Sequence, residues 1–356
     1  MKFLRISAFL GLGLLVALAA HSAQDAAPAA PTAPAPLPQN DQQSPPEATQ
    51  PGAPKKAPTI TTVTQTVPLY ITVADKKKNF VTDLEQSDFQ ILENGVPQDI
   101  RFFSSETDLP LRIAVLIDTS NSIRPRLQFE QDAAIDFLNR VIRPLKDQAF
   151  LMTFDNEPQV IQDYTEDVGR LSDAIRDQRA GGGTALNDAL YMASEKLANP
   201  PLPKAADKEV RRVIVLISDG ADNLSDRAPS DATEAVIRSG AAVYAISTNT
   251  DWITLDQGDT PRKYEFTDGD KVLQAFSDRT GGRTFYPYKV EDLGESFVQI
   301  GTELRHQYFV AYSPTAAPDN KYRTIEVRID RKNLTVRTRK GYYATSNGPS
   351  SAAPGR

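Results

Sequence analysis

Cysteine is absent from the 356 residues. This excludes disulfides, thiolate nucleophiles and cysteine-ligated zinc sites. Histidine occurs twice, as His21 and His306, and His21 falls in an N-terminal leader pattern. One remaining histidine cannot build a two- or three-histidine zinc site. A Ser-His-Asp triad would have to use His306, which closes a helical pattern and reads as a helix-end residue. A basic excess is also lacking, since 40 Lys and Arg stand against 46 Asp and Glu, a net charge of −6. Such a chain lacks the positive field that nucleic acid or an anionic membrane requires, and neither is expected as a partner. Long apolar runs are missing too. The longest, Phe9 to Leu18, falls short of the roughly 20 residues that span a bilayer, so no transmembrane segment is expected in the mature chain.

The segments differ sharply in character. Residues 1–23 carry Lys2 and Arg5, then the apolar run, then Ala17-Leu18-Ala19 and Ala23 as cleavage candidates. This is a signal-peptide pattern, and it predicts an exported protein, periplasmic or secreted. Residues 24–58 are rich in Ala, Pro and Gln and cannot bury a core, so they read as a disordered linker. Residues 346–356 have the same composition.

Two β-rich stretches flank a different pattern. In residues 59–110, Val67 to Val73, Asp88 to Glu93 and Ile100 to Phe103 read as short strands, with Asn94-Gly95 as a turn. In residues 308–345, Tyr308 to Tyr312, Thr324 to Ile329 and Leu334 to Arg337 do the same. Each set alone is a marginal sheet, so the two are expected to pair. That pairing would bury Tyr70, Phe89, Ile91 and Phe102 against Phe309, Ile325, Val327 and Val336. Arg328, Arg331, Lys332, Arg337, Arg339 and Lys340 resemble a basic patch, but several alternate along strands and so read as the solvent face of a sheet. Between the flanks, over residues 111–307, short apolar runs at Ile113–Ile117, Phe150–Phe154, Val213–Ile217 and Ala242–Ile246 suit parallel strands buried on both faces. Helical spacings separate them, including Leu186, Leu190, Ala193 and Leu197, and Val290, Leu293, Phe297, Ile300 and Leu304. The fold class is therefore α/β, a doubly wound and mainly parallel sheet inserted in or flanked by a small β-sandwich-like module.

Ligands of such sheets sit beyond the carboxyl ends of the strands. Asp118-Thr119-Ser120-Asn121-Ser122 follows the first run, Ser218-Asp219-Gly220 follows the third, and Gly181-Gly182-Gly183-Thr184 opens a helix between them. These loops offer carboxylates and hydroxyls on the protein surface without a nitrogen or sulfur ligand, a donor set suited to Mg²⁺ or Mn²⁺. Taken alone, Asp118 to Ser122 is also a polar turn capping a helix near Ile123. Thr184 is expected to cap its own helix, and Asp188 to be a first-turn carboxylate. Asp155, Asp222 and Asp226 stand at plausible heights but read by default as solvated loop acids. Trp252, in the polar insertion Asn249 to Gly269, suits an interface anchor or local packing equally.

The order D-x-S-x-S, Gly-Gly-Thr, Ser-Asp-Gly resembles the von Willebrand factor type A family and its metal-ion-dependent adhesion site. Asp118, Ser120, Ser122, Thr184 and Asp219 match that site at all five positions. The resemblance implies that the serines and threonine coordinate directly or through water while the aspartates act mostly through water. It also implies a partner protein that offers a carboxylate to the metal, and a last helix, here Val290 to Gln307, whose position is coupled to binding. The flanks, with Leu92-Glu93-Asn94-Gly95 and Arg339-Lys340-Gly341-Tyr342-Tyr343, resemble bacterial VWFA-related proteins of the Acidobacteria type. The expected function is an exported, metal-dependent, adhesion-type protein-binding module rather than an enzyme. An envelope scaffold with a stabilising metal, and a metal-assisted hydrolase, are the alternatives.

Overall fold

A computed structural model describes residues 66–105, 108–201, 209–249, 266–287 and 290–345. The signal-peptide, linker and tail readings, and Trp252, lie outside these residues. The order is β1 (Val67–Asp75), β2 (Phe89–Glu93), β3 (Val96–Gln98), β4 (Ile100–Ser104) and β5 (Leu111–Asp118). Next come α1 (Leu127–Val141), β6 (Gln148–Phe154), β7 (Pro158–Thr165), α2 (Val168–Arg176) and α3 (Leu186–Ala198). They are followed by β8 (Arg211–Ser218), α4 (Pro229–Ser239), β9 (Ala242–Ser247), α5 (Asp268–Thr280), β10 (Arg283–Phe285) and α6 (Val290–Arg305). The chain closes with β11 (Tyr308–Tyr312), β12 (Tyr322–Ile329), β13 (Leu334–Arg337) and β14 (Gly341–Tyr343). Among the described residues, no helix is long and apolar enough to cross a membrane.

The middle of the chain forms a six-stranded sheet of order β10-β9-β8-β5-β6-β7. All neighbours are parallel except β6 and β7. Every residue of β5 and β8 is buried, as continuous apolar strands between two helical layers must be. Ile113, Val115 and Ile117 pack towards α1 and α6, while Ala114 and Leu116 pack towards α3 and α4. The result is a three-layer α/β domain. β7 carries no apolar run because it is an antiparallel edge strand, with Val160 and Ile161 partly facing solvent.

The flanking strands interleave. One sheet has the order β13-β1-β11-β4 and the other β14-β12-β2-β3, all antiparallel. Their shared core holds Leu69, Ile71, Tyr308, Val310 and Tyr312 against Phe89, Ile91, Ile325 and Tyr342. Phe89 and Ile325 enter this core, but Tyr70, Phe102 and Phe309 do not. They cluster on the opposite face, where Phe309 contacts Tyr70 at 5.4 Å and Phe102 at 5.3 Å. β1 is buried on both faces because its outer face meets the α/β domain, so its polarity does not reveal which parity points inward. Glu93 lies within the sandwich and is satisfied there by Arg323 at 3.0 Å, Tyr312 Oη at 2.6 Å and Tyr342 Oη at 2.9 Å.

Where the two modules meet, Glu303 of α6 is fully buried. It accepts hydrogen bonds from Thr72 Oγ1 at 3.0 Å and Tyr244 Oη at 2.9 Å and pairs with Arg337. Gln307 donates to Thr72 and Tyr244, at 3.0 and 3.2 Å. The end of α6 is thus tied to β1, β9 and β13 by a buried polar network. His306 is exposed, stacks on Phe80 at 5.6 Å and contacts the Thr302 carbonyl through Nδ1. It has no acid partner among the described residues, which accords with its reading as a helix-end residue rather than a triad member.

Candidate metal centre

The carboxyl ends of β5 and β8 lie side by side in register, Ile117 opposite Ile217, so Asp118 and the residues after Ser218 emerge together. Asp118 is fully buried, the last residue of its strand. Its carboxylate accepts the Ser120 amide at 2.9 Å and Ser218 Oγ at 2.9 Å. Ser120 Oγ stands 2.9 Å from Ser122 Oγ, which donates to Asp219 Oδ2 at 3.0 Å. Four of the five sequence-predicted residues are therefore linked by one run of hydrogen bonds, in which Asp118 joins through the Ser120 amide and Ser120, Ser122 and Asp219 through their side-chain oxygens.

Thr184 arrives through the backbone. Gly181 N donates to Thr119 O at 2.7 Å and Asn121 N to Gly182 O at 3.2 Å, which stitches the glycine loop to the Asp118 loop. The Thr184 carbonyl accepts from Asn223 N at 3.0 Å and Leu224 N at 3.1 Å, which stitches it to the Asp219 loop. The Thr184 side chain is buried, and its hydroxyl forms no hydrogen bond with the described residues. It does not cap α3, contrary to expectation: the cap position is Ala185. The first amides of α3 are satisfied from the neighbouring loop instead, Asn187 N by Asp222 at 2.7 Å and Asp188 N by Ser225 Oγ at 3.1 Å. A Cβ at Gly183 would meet the exposed Leu224 side chain at 2.4 Å and Asn223 Oδ1 at 2.8 Å, so a side chain there would displace both. Gly220 has φ +76 and lies so near the Gly269 backbone that a Cβ would sit 2.2 Å from its carbonyl oxygen.

Asp118 is interior rather than a surface-loop residue, because β5 ends beneath the loops that carry the hydroxyls. Burial pushes its carboxyl up to about 6, against the hydrogen bonds from Ser120 and with the neighbouring charge of Asp219. Among the described residues, neither Asp118 nor Asp219 forms an ion pair with Lys or Arg. Two acids and three hydroxyls without a balancing base fit a hard divalent cation. Among the described residues, no three His, Cys, Asp or Glu side chains gather to hold a metal ion, so the donor set is the hydroxyl-rich kind. The other acids are engaged elsewhere. Asp188 accepts the amides of Asp226 and Arg227 at 2.9 and 3.0 Å, Asp222 caps α3, and Asp155 accepts the amide of Asn156.

Sequence reasoning overlooked three supporting groups. Ser218 orients Asp118, and Asn223 Oδ1 accepts the Thr184 amide at 2.9 Å. Asn249 donates to the Asp219 carbonyl at 2.6 Å and to Asp270 at 3.0 Å, tying β9 and α5 to the site. Ser218 was readable from the Ser-Asp-Gly turn. The two asparagines carry no local signal, since their partners are 39 and 30 residues away.

Residues 113–221 match the family model for the von Willebrand factor type A domain, and all five candidate residues fall within that segment. A 129-residue stretch is 26% identical to complement C2 of Bos taurus, covering 32% of this chain and 17% of that protein. The match therefore spans under a fifth of the curated relative. Among solved structures, proximal thread matrix protein 1 from the mussel byssus, with a zinc-occupied MIDAS motif, aligns with a TM-score of 0.43 and 19% identity. That alignment covers 60% of this chain and 50% of that one. A von Willebrand factor type A protein from Catenulispora acidiphila aligns over 83% of this chain and 78% of its own, with a TM-score of 0.42 and 12% identity. The vWF domain of the type V pili tip protein Mfa5 from Porphyromonas gingivalis aligns over 56% and 96%, with a TM-score of 0.43 and 14% identity.

Proposed function

We propose that this von Willebrand factor type A domain is an adhesion-type module of an exported protein, binding protein partners at a Mg²⁺ or Mn²⁺ site and catalysing nothing. The supporting observation is the convergence of Asp118, Ser120, Ser122 and Asp219 on one run of hydrogen bonds, with the Thr184 hydroxyl, unbonded among the described residues, in the adjoining loop. Ser120, Ser122 and Thr184 would hold the ion through their hydroxyls. Asp118 and Asp219 would supply charge, and hydrogen bonds to Ser120 and Ser122 orient the hydroxyl donors. Oxygen donors without imidazole or thiolate favour a hard cation over zinc. The cation, when bound, supplies a Lewis-acidic position for a carboxylate oxygen of the partner.

The test uses the immobilised full chain and an extract of the native cell envelope. A protein retained in Mg²⁺, released by EDTA and absent with Asp219→Ala supports the reading. Equal retention by both proteins contradicts it. Export is checked separately by intact mass from the native host. Loss of the first 19 to 23 residues is expected from the leader pattern, and a retained Met1 contradicts export with cleavage.

A further inference from the structure

The amino ends of the parallel strands carry a second feature, unrelated to the metal centre. A cavity of about 350 Å³ lies between the start of β8, the ends of α4 and α5, and the sandwich residues of β1 and the β13–β14 turn. Five arginines line it, Arg211, Arg212, Arg238, Arg279 and Arg339, with Glu209 as the acid among its lining residues. Among the described residues, only Arg238 of these five forms an ion pair, with Glu234.

The cavity also collects unsatisfied polar atoms. Arg211 Nε, Arg339 Nε, Thr338 Oγ1 and Glu209 Oε2 are buried and, among the described residues, without a hydrogen-bond partner. The remaining guanidinium contacts are backbone and neutral. Arg339 Nη2 donates to Pro68 O at 2.7 Å, Arg212 Nε donates to Leu197 O at 2.8 Å, and Arg211 stacks on Tyr70 at 3.9 Å. Buried donors left unpaired cost free energy, and guanidinium groups are best satisfied by planar or tetrahedral oxyanions. Glu209 accepts from Tyr70 through Oε1, and burial pushes its carboxyl up to about 7 even beside these arginines. A group held partly protonated opposes an incoming anion less than a full carboxylate does.

We propose that this cavity is a binding site for a compact polyanion, a ligand carrying several phosphoryl or carboxylate oxygens, clasped between the α/β domain and the sandwich. β8 runs from Arg211 at the cavity to Ser218 at the metal centre, so the two sites are separated by roughly 23 Å of strand.

The test is calorimetry on the EDTA-treated, dialysed full chain at fixed ionic strength, with pyrophosphate and citrate as probes and acetate as the monovalent control. One saturable site tighter than about 1 mM is expected. Binding of pyrophosphate alone assigns a phosphoryl ligand, and binding of citrate alone a polycarboxylate. Binding of both assigns recognition by compact charge. Arg279→Gln at the exposed rim and Arg339→Gln within should each weaken it about tenfold, while Glu209→Gln should tighten it. Asp219→Ala should leave it unchanged, which separates this site from the metal reading. Circular dichroism verifies folding, and Arg279→Gln carries the test if Arg339→Gln does not fold. No saturable binding of either probe, or equal affinity in the folded arginine variants, overturns the proposal.

Discussion

The two ends of the central sheet solve opposite electrostatic problems. At the carboxyl ends of β5 and β8, two carboxylates and three hydroxyls stand without an ion-paired base among the described residues, at strand ends and loops joined by backbone hydrogen bonds. At the amino ends, arginines outnumber acids, and the sandwich closes over them. The loop end is built to leave its donors available. The other end is built to join two modules, because hydrogen bonds and an ion pair link Glu303, Gln307, Thr72, Tyr244 and Arg337 across the boundary. Parallel strands make this division possible. They place every crossover loop that follows a strand at one end and leave the opposite end free for packing.

The contrast is best broken at Glu303. Glu303→Ala should lower unfolding free energy by about 4 kcal/mol, because Arg337 loses its buried partner. Denaturant unfolding checks this, and a loss under about 1 kcal/mol would mean the boundary is held by apolar packing alone.

Next in size is Glu130, which lies in the first turn of α1 and is buried with neither carboxyl oxygen hydrogen-bonded among the described residues. Burial pushes its carboxyl up to about 8. Arg126 opposes the shift, and the charges of Asp118 and Asp219 add to it. A carboxyl whose folded value lies above its unfolded value loses stability as pH rises between the two. Wild type should therefore lose about 3 kcal/mol relative to Glu130→Gln between pH 4 and pH 7. Parallel pH profiles of the two proteins would instead mean that Glu130 is solvated.

A smaller contrast separates hydroxyls at the two ends. Tyr244→Phe removes two buried hydrogen bonds, to Glu303 and Gln307, and should cost about 1 to 2 kcal/mol. Thr184→Val removes a hydroxyl that has no hydrogen-bond partner among the described residues while keeping the side-chain volume, and should cost under about 0.5 kcal/mol without metal. Equal losses in thermal unfolding would erase the distinction between structural and available hydroxyls. The smallest effect expected is on α6, which is tied into the boundary network. Hydrogen exchange at Leu293 to Leu304 should slow when partner and Mg²⁺ are added together, and unchanged exchange leaves a rigid module.

The sequence was most informative where one physical constraint acts alone. Ile113–Ile117 and Val213–Ile217 are apolar throughout because both faces are covered, so their strands were legible to within two residues at each end. The convergence of Asp118, Ser120, Ser122 and Asp219 was legible because parallel connectivity sends the residues after each strand to the same end. Where two constraints compete, the reading failed. β1 meets the sandwich core with Leu69 and Ile71 and the α/β domain with Tyr70 and Thr72, so its parity was misjudged. β7 was missed because an edge strand needs no apolar alternation. Thr184 was read as a helix cap because a hydroxyl before a helix usually is one, yet Asp222 and Ser225 perform that task from another loop. The cavity arginines are scattered from Arg211 to Arg339, and only the fold gathers them.

The central claim is that the five oxygen-bearing residues at the carboxyl end form one divalent-cation site. Calorimetric titration of Mg²⁺ and Mn²⁺ into the metal-free full chain tests it most directly, with Asp118→Asn as the comparison. Asparagine keeps the Oδ1 acceptor for the Ser120 amide, and its Nδ2 can donate to Ser218 Oγ in place of the bond that Oδ2 accepts, so the charge is removed with the side-chain volume kept where Asp118→Ala would open a buried gap. The account predicts a single site in the wild type, a loss of at least about tenfold in affinity with Asp118→Asn, weaker binding with Thr184→Ala, and no strong preference for Zn²⁺. Mg²⁺ and Mn²⁺ affinities that are the same in wild type and in folded Asp118→Asn would contradict it.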